Sequence, residues 1–187
     1  MMSIGTAVDR SEERTVTDHE LDTERATIIE TLARHRGFLA QTLDGVGDED
    51  AARRTTVSEL CLGGIVKHVA STTSRWLDFV EHGPGEGVQG DDPAAVAAYT
   101  SQFRMDPDDT VASVLANFAE AGRRTDELVR SLPSLDADQP LPSAPWFEPG
   151  ARWSARRVFL HLLAETAQHA GHADIIRESL DGARTMG

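Results

Sequence analysis

The stretch WSARRVFLHLLAETAQHAGHADIIRESLDG, from Trp153 to Gly182, constrains the fold more than any other part of the chain. It carries the longest helical pattern in the sequence. With each residue turning the helix by about 100° and His161 set at zero, Glu165 falls at about 40°, His169 at about 80° and His172 at about 20°. Four ionisable side chains therefore share one narrow stripe. That stripe borders an apolar arc carried by Val158, Phe159, Leu162, Ala173, Ile176 and Leu180. Charge meant for solvent normally lies opposite the buried face, not beside it. Ser154 reads as the N-cap with Trp153 as the apolar residue before it, and Gly182 as the C-terminal stop.

A half-apolar helix of this length needs partners, and the chain supplies three. Over 22–44, Ile28, Leu32, Leu39 and Leu43 recur at helical spacing, with His35 on the same stripe. Ser58 is expected to open a second helix running to about Glu81 and closed by a Gly-Pro-Gly turn. On it Leu62, Ile65, Val66, Val69 and Leu77 share one side, and His68 sits at the border of that side. Gly63 and Gly64 lie inside this pattern, each costing about 1 kcal/mol relative to alanine. Gly64, one turn before His68, is expected to leave room at a pocket beside that histidine. Gly63 projects away and is expected to serve close helix packing. A third helix over 109–131 rests on Val111, Val114, Leu115, Phe118 and Leu128.

The connections are polar. GVGDEDAARRTT reads as a break, 82–109 as a long Gly- and Asp-rich link with a short helix in DDPAAVAAYT, and 132–152 as a proline-rich strap carrying Trp146 and Phe147. No strand is predicted. The expectation is an all-α chain: a mobile tail at 1–20, then a single helical domain over 21–187. Four amphipathic helices with two long connections suggest a four-helix bundle whose topology need not be simple up-and-down.

A formal charge of −13 without any basic cluster argues against a nucleic-acid surface and against an anionic membrane. One cysteine, Cys61, excludes an intramolecular disulfide. The first twenty residues lack the apolar core of a secretory signal, and no run approaches the roughly 18 apolar residues of a membrane span. A cytoplasmic protein is expected.

Glu165 and His169 have the i, i+4 spacing that lets two side chains on one helix face bind a single metal. A third ligand must come from another element, and His68 is the best placed. Two imidazoles and a carboxylate would leave coordination positions open for water or substrate. A competing reading exists for each residue. A histidine at a core edge, such as His35 or His161, is more often simply hydrogen-bonded, and Glu–His pairs on exposed helices are common. Spacing alone leaves both readings open. Cys61 reads as a small buried cysteine, Trp76 and Trp153 as packing, and Arg156, Arg157 and Arg177 as solvent-facing, with an anionic substrate as the alternative.

The segments LGGIVKHVASTTSRW (Leu62–Trp76) and Trp153–Gly182 resemble the DinB superfamily, in particular its actinobacterial branch of mycothiol-dependent transferases and maleylpyruvate isomerase-like proteins. The motif E-x-x-x-H-x-G-H-A-D-x-x-R-E, from Glu165 to Glu178, carries most of the likeness. The resemblance covers the second and fourth helices, and the remainder matches in length and order. It implies a DinB-like four-helix bundle holding a divalent metal on His68, Glu165 and His169. The isomerase-like members carry glutamate at the position of Glu165, where many others carry histidine. His172 stands where many relatives have glutamine.

Activities assigned in the family include thiol S-transfer with mycothiol or bacillithiol, isomerisation, and service as the metal domain of sulfoxide synthases. The leading expectation is a metal-dependent enzyme transferring a low-molecular-weight, mycothiol-like thiol to an electrophilic small molecule. Zinc is expected ahead of nickel, iron or manganese. His161 or His172 would move a proton, and a homodimer is one expected assembly. The alternatives are a metal-dependent hydrolase or isomerase of a small molecule, and a non-enzymatic metal- or ligand-binding bundle in which His172 closes the coordination sphere.

Overall fold

The computed structural model describes residues 22–85, 101–144 and 147–185. The expected tail, the short helix expected within 91–100 and Trp146 lie outside the described residues. The elements in order are α1 (Thr23–Gln41), α2 (Asp48–Ala52), α3 (Leu62–His82), α4 (Val111–Ser131), β1 (Asp138–Pro140), β2 (Arg152–Ser154) and α5 (Ala155–Asp181).

Three of the long helices begin where a side chain satisfies free backbone N–H groups. The Asp22 carboxylate accepts from Arg25 N at 2.9 Å ahead of α1. Thr110 and Ser113 form a reciprocal capping box on α4. The Ser154 hydroxyl accepts from Arg157 N at 3.2 Å on α5, and Gly182, in the left-handed region at φ 82°, ends that helix as expected. The start of α3 is different. The expected opening at Ser58 is displaced to Leu62, because the Ser58 hydroxyl accepts from Leu60 N at 3.2 Å and holds a turn instead. Cys61 provides no side-chain cap, and Leu62, Gly63, Gly64 and Ile65 enter the helix already buried.

Both α1 and α3 pack on α4 and α5, which places α1 and α3 across the diagonal of a four-helix bundle. Among the four long helices, consecutive ones are neighbours only at the α3–α4 step, so the topology is not simple up-and-down. The core has two parts. Leu39, Leu62, Ile65, Val69, Val114 and Ile176 fill one end, and Leu32, Leu77, Val129, Val158, Phe159 and Leu162 fill the other. Buried threonines lie near their junction. Thr125 and Thr166 each donate a hydroxyl hydrogen bond at 2.7 Å to the carbonyl four residues earlier, so neither is left unsatisfied.

Two elements depart from expectation. The break after α1 contains α2, whose first turn carries Asp48, Glu49 and Asp50 at the positive end of the helix dipole. The proline-rich strap contains a short antiparallel hairpin that pairs Gln139 with Trp153. With three residues a side and a proline in one strand, it leaves no alternating pattern in the sequence. Tertiary contact, not local propensity, makes it.

The two glycines at the start of α3 also differ from expectation. Neither has positive φ, so backbone conformation is not their purpose. A Cβ on Gly64 would lie 1.9 Å from the carbonyl oxygen of Phe103, 2.4 Å from its carbonyl carbon and 2.9 Å from Arg104 N. The room Gly64 leaves is therefore filled by backbone from the segment before α4, not by an open pocket. A Cβ on Gly63 would meet the Met105 sulfur at 2.2 Å, a flexible side chain. Close backbone packing belongs to Gly64, the reverse of the sequence-based assignment.

Candidate metal centre

The third and fourth turns of α5 face the second turn of α3, and His68, Glu165 and His169 meet between them. One ligand atom from each of the three lies within 4.8 Å of the others. Glu165 Oε1 is 3.0 Å from His68 Nε2 and 3.3 Å from His169 Nε2. His68 is buried at 3% exposure and His169 at 9%, while the Glu165 side chain keeps 21%. The nitrogens approach one carboxylate oxygen from two helices, a convergence that periodicity on α5 alone could not establish.

The hydrogen bond from His169, and then that from His68, hold the Glu165 carboxyl well below the usual carboxylate range despite its partial burial. An ionised Glu165 can only accept, so each facing Nε2 donates to it. The donor set, two imidazole nitrogens and one carboxylate oxygen converging at a partly exposed edge, has the chemistry that divalent first-row metals bind with open positions remaining. The residues fit such an ion.

The surrounding residues sort clearly. His161, one turn before Glu165, lies edge-on to Trp76 at 5.1 Å and to Trp153 at 5.3 Å. Burial pushes its pKa below the usual imidazole value, with the nearby Glu165 charge opposing. His172 is half-buried with its ring 5.3 Å from that of His169. Its Nδ1 is buried and has no hydrogen-bond partner among the described residues. It does not join the three-residue cluster. His35 packs edge-on to Phe38 at 5.8 Å, and His82 is exposed at the end of α3; neither belongs to the site.

Cys61 is buried, with its sulfur 3.8 Å from Phe103 O, and it also stays outside the cluster. Trp76 and Trp153 stack on each other at 4.8 Å and 12°, so both serve packing at the rim of the site. Arg156 is committed to Glu24 and Asp136, and Arg177 to Asp181 and to the carbonyls of Thr42 and Asp44. Arg157 lies 5.0 Å over the Trp153 ring.

One neighbour of the site escaped the sequence reading. The Phe103 ring stacks on His68 with centroids 4.0 Å apart and planes 21° from parallel. It comes from the link before α4, where no periodicity exists to assign it a direction. Gly64 was the sole trace of it in the sequence.

Comparison with known proteins fits this architecture. A family model described as mycothiol-S-transferase matches residues 27–182. A crystal structure of a conserved protein from Enterococcus faecalis superposes with a TM-score of 0.58 at 13% identity, covering 84% of this chain and 97% of that one. At that identity the likeness concerns the fold. No curated protein matches significantly. No helix among the described residues is long and apolar enough to cross a membrane.

Proposed function

The chain belongs to the mycothiol-S-transferase family, and from that premise we propose that it transfers a mycothiol-like low-molecular-weight thiol to an electrophilic small molecule. His68, Glu165 and His169 would hold a divalent metal, zinc first among the candidates. The observation supporting this reading is the convergence of their three ligand atoms within 4.8 Å at a partly exposed edge of the bundle. A bound divalent cation would favour the deprotonated form of a thiol near neutral pH.

The remaining chemistry is the work of the chain itself. Glu165, ionised across the physiological range, brings a full negative charge to the site. The two Nε2 atoms must give up their protons to act as ligands, so acid opposes loading. His161, whose pKa burial lowers, can accept the thiol proton on an imidazole nitrogen, while the sulfur lone pair forms the new S–C bond and the bond to the electrophile's leaving group breaks, that group departing with the bonding pair. His172 is the second residue proposed for proton transfer. Trp76 and Trp153 shield the rim from water beside His161.

The test is metal analysis of purified protein together with conjugation of mycothiol to a fluorogenic electrophile. Alanine at His68, Glu165 or His169 is expected to lower bound metal and conjugation at least tenfold. Alanine at His35 or His82 is expected to leave both unchanged. Stoichiometric metal in His169→Ala would remove the ligand assignment. Turnover of the electrophile without any thiol would replace transfer by hydrolysis.

A further inference from the structure

The backbone of Phe103 and Arg104 lies directly on the first turn of α3, in the space a side chain at Gly64 would occupy. That segment is fastened on both sides of Phe103. Arg75 donates to Gln102 Oε1 at 3.1 Å before it, and Lys67 Nζ donates to Asp106 and Asp109 at 2.6 Å after it. Arg104 reaches Glu59 at 3.2 Å. Four hydrogen bonds to α3 or its approach thus hold the segment from Gln102 to Asp109, which forms no helix or strand of its own.

The consequence falls on His68, one turn after Gly64. A histidine ring turns about its outermost side-chain torsion, a broad and soft one, unless something flat holds it. Phe103 supplies the flat surface at 4.0 Å, and the same ring sits 6.1 Å from that of His169. Held against it, His68 presents Nε2 to Glu165 Oε1 at 3.0 Å. We propose that Phe103 is a positioning residue, docked on α3 through the Gly64 seat, which locks the His68 imidazole in the orientation that the three-residue centre requires. The inference rests on the metal reading of His68, Glu165 and His169, and it goes beyond that reading by assigning a role to a residue that is not one of the three proposed ligands.

The experiment is Co²⁺ titration of the metal-free full chain, followed by its visible d–d absorption, with melting of the metal-free proteins alongside. Phe103→Leu and Phe103→Met keep apolar volume but remove the flat face; Phe103→Tyr keeps it. In whichever ring-less variant melts cooperatively, Co²⁺ binding is expected to weaken about three- to tenfold, the worth of one aromatic contact, with an altered d–d band. Phe103→Tyr is expected to match the parent in both. A residue that merely supported the fold would change melting without changing the spectrum. Parental affinity and spectrum in a folded ring-less variant overturn the proposal, as does equal loss in Phe103→Tyr. The control His68→Ala separates the two levels. If it abolishes Co²⁺ binding, a failure of the Phe103 variants concerns positioning alone. If it retains parental binding, the metal reading itself falls, and the proposal with it.

Discussion

At the scale of single residues, the two glycines of α3 illustrate how far a helical wheel reaches. The wheel places Gly64 beside His68 and one turn away, and the structure agrees. It cannot say what fills the space, because Phe103 arrives from a segment without periodicity. The same limit explains the site. Glu165 and His169 share a stripe because one helix fixes their relative angle. Their approach to His68 depends on how α3 and α5 pack, which no spacing within either helix encodes.

Backbone atoms cannot swing aside as a side chain can, and the two glycines should respond to substitution accordingly. Gly64→Ala is expected to cost about 2–3 kcal/mol, since overpacking outweighs the helix propensity that alanine returns. Gly63→Ala meets only the Met105 side chain and should stay within about 1 kcal/mol of the parent. Thermal and urea melts of the two variants, compared at one pH, check the contrast. Equal melting of both would mean that the segment at Phe103 is not held where it lies.

At the scale of elements, the joint between α3 and the start of α4 carries a pH-dependent clasp. Asp109 accepts from Lys67 Nζ at 2.6 Å and from Asp106 N at 2.7 Å. Burial alone would raise its pKa, but the hydrogen bond from Lys67, with that from Asp106, outweighs it and the carboxyl lies below the usual value of 3.8. A depressed folded pKa means stability that is present above the unfolded value and lost as pH falls through the folded one. Asp109→Asn is therefore expected to lower stability by about 1–2 kcal/mol at pH 7. The gap from the parent should close as pH drops below 3.8, read from melts over pH 2.5–7. The helices themselves were legible from period and caps, as Ser154 and Gly182 show for α5. The hairpin was not, since Gln139 and Trp153 owe their pairing to each other across a loop.

At the scale of the whole molecule, the site lies at one edge of a core whose two apolar parts are built without it. If His68, Glu165 and His169 hold a metal as proposed, its removal by a chelator is expected to leave the helical far-UV signal at 20 °C intact while lowering Tm, because an ion bound only by the native state stabilises it by mass action. Loss of helicity at that temperature would show that the centre is a structural staple. The family match over residues 27–182 and the fold likeness agree with a bundle legible in outline from four amphipathic stretches. The diagonal placement of α1 and α3 was open in the sequence, because long connections permit several topologies without choosing one.

That diagonal has a consequence for a chain still being made. When α1, α3 and α4 have left the ribosome, α1 and α3 have only α4 between them, and each still exposes the face it will bury on α5. His68 waits for Glu165, which follows 97 residues later. Domains generally fold as units during synthesis, and a partner supplied last leaves apolar surface exposed the longest. The nascent chain spends its vulnerable interval before α5 arrives. A release-arrested chain ending after Ser131 should be captured by chaperones and cut by protease, and one extended past Gly182 and clear of the exit tunnel should resist both.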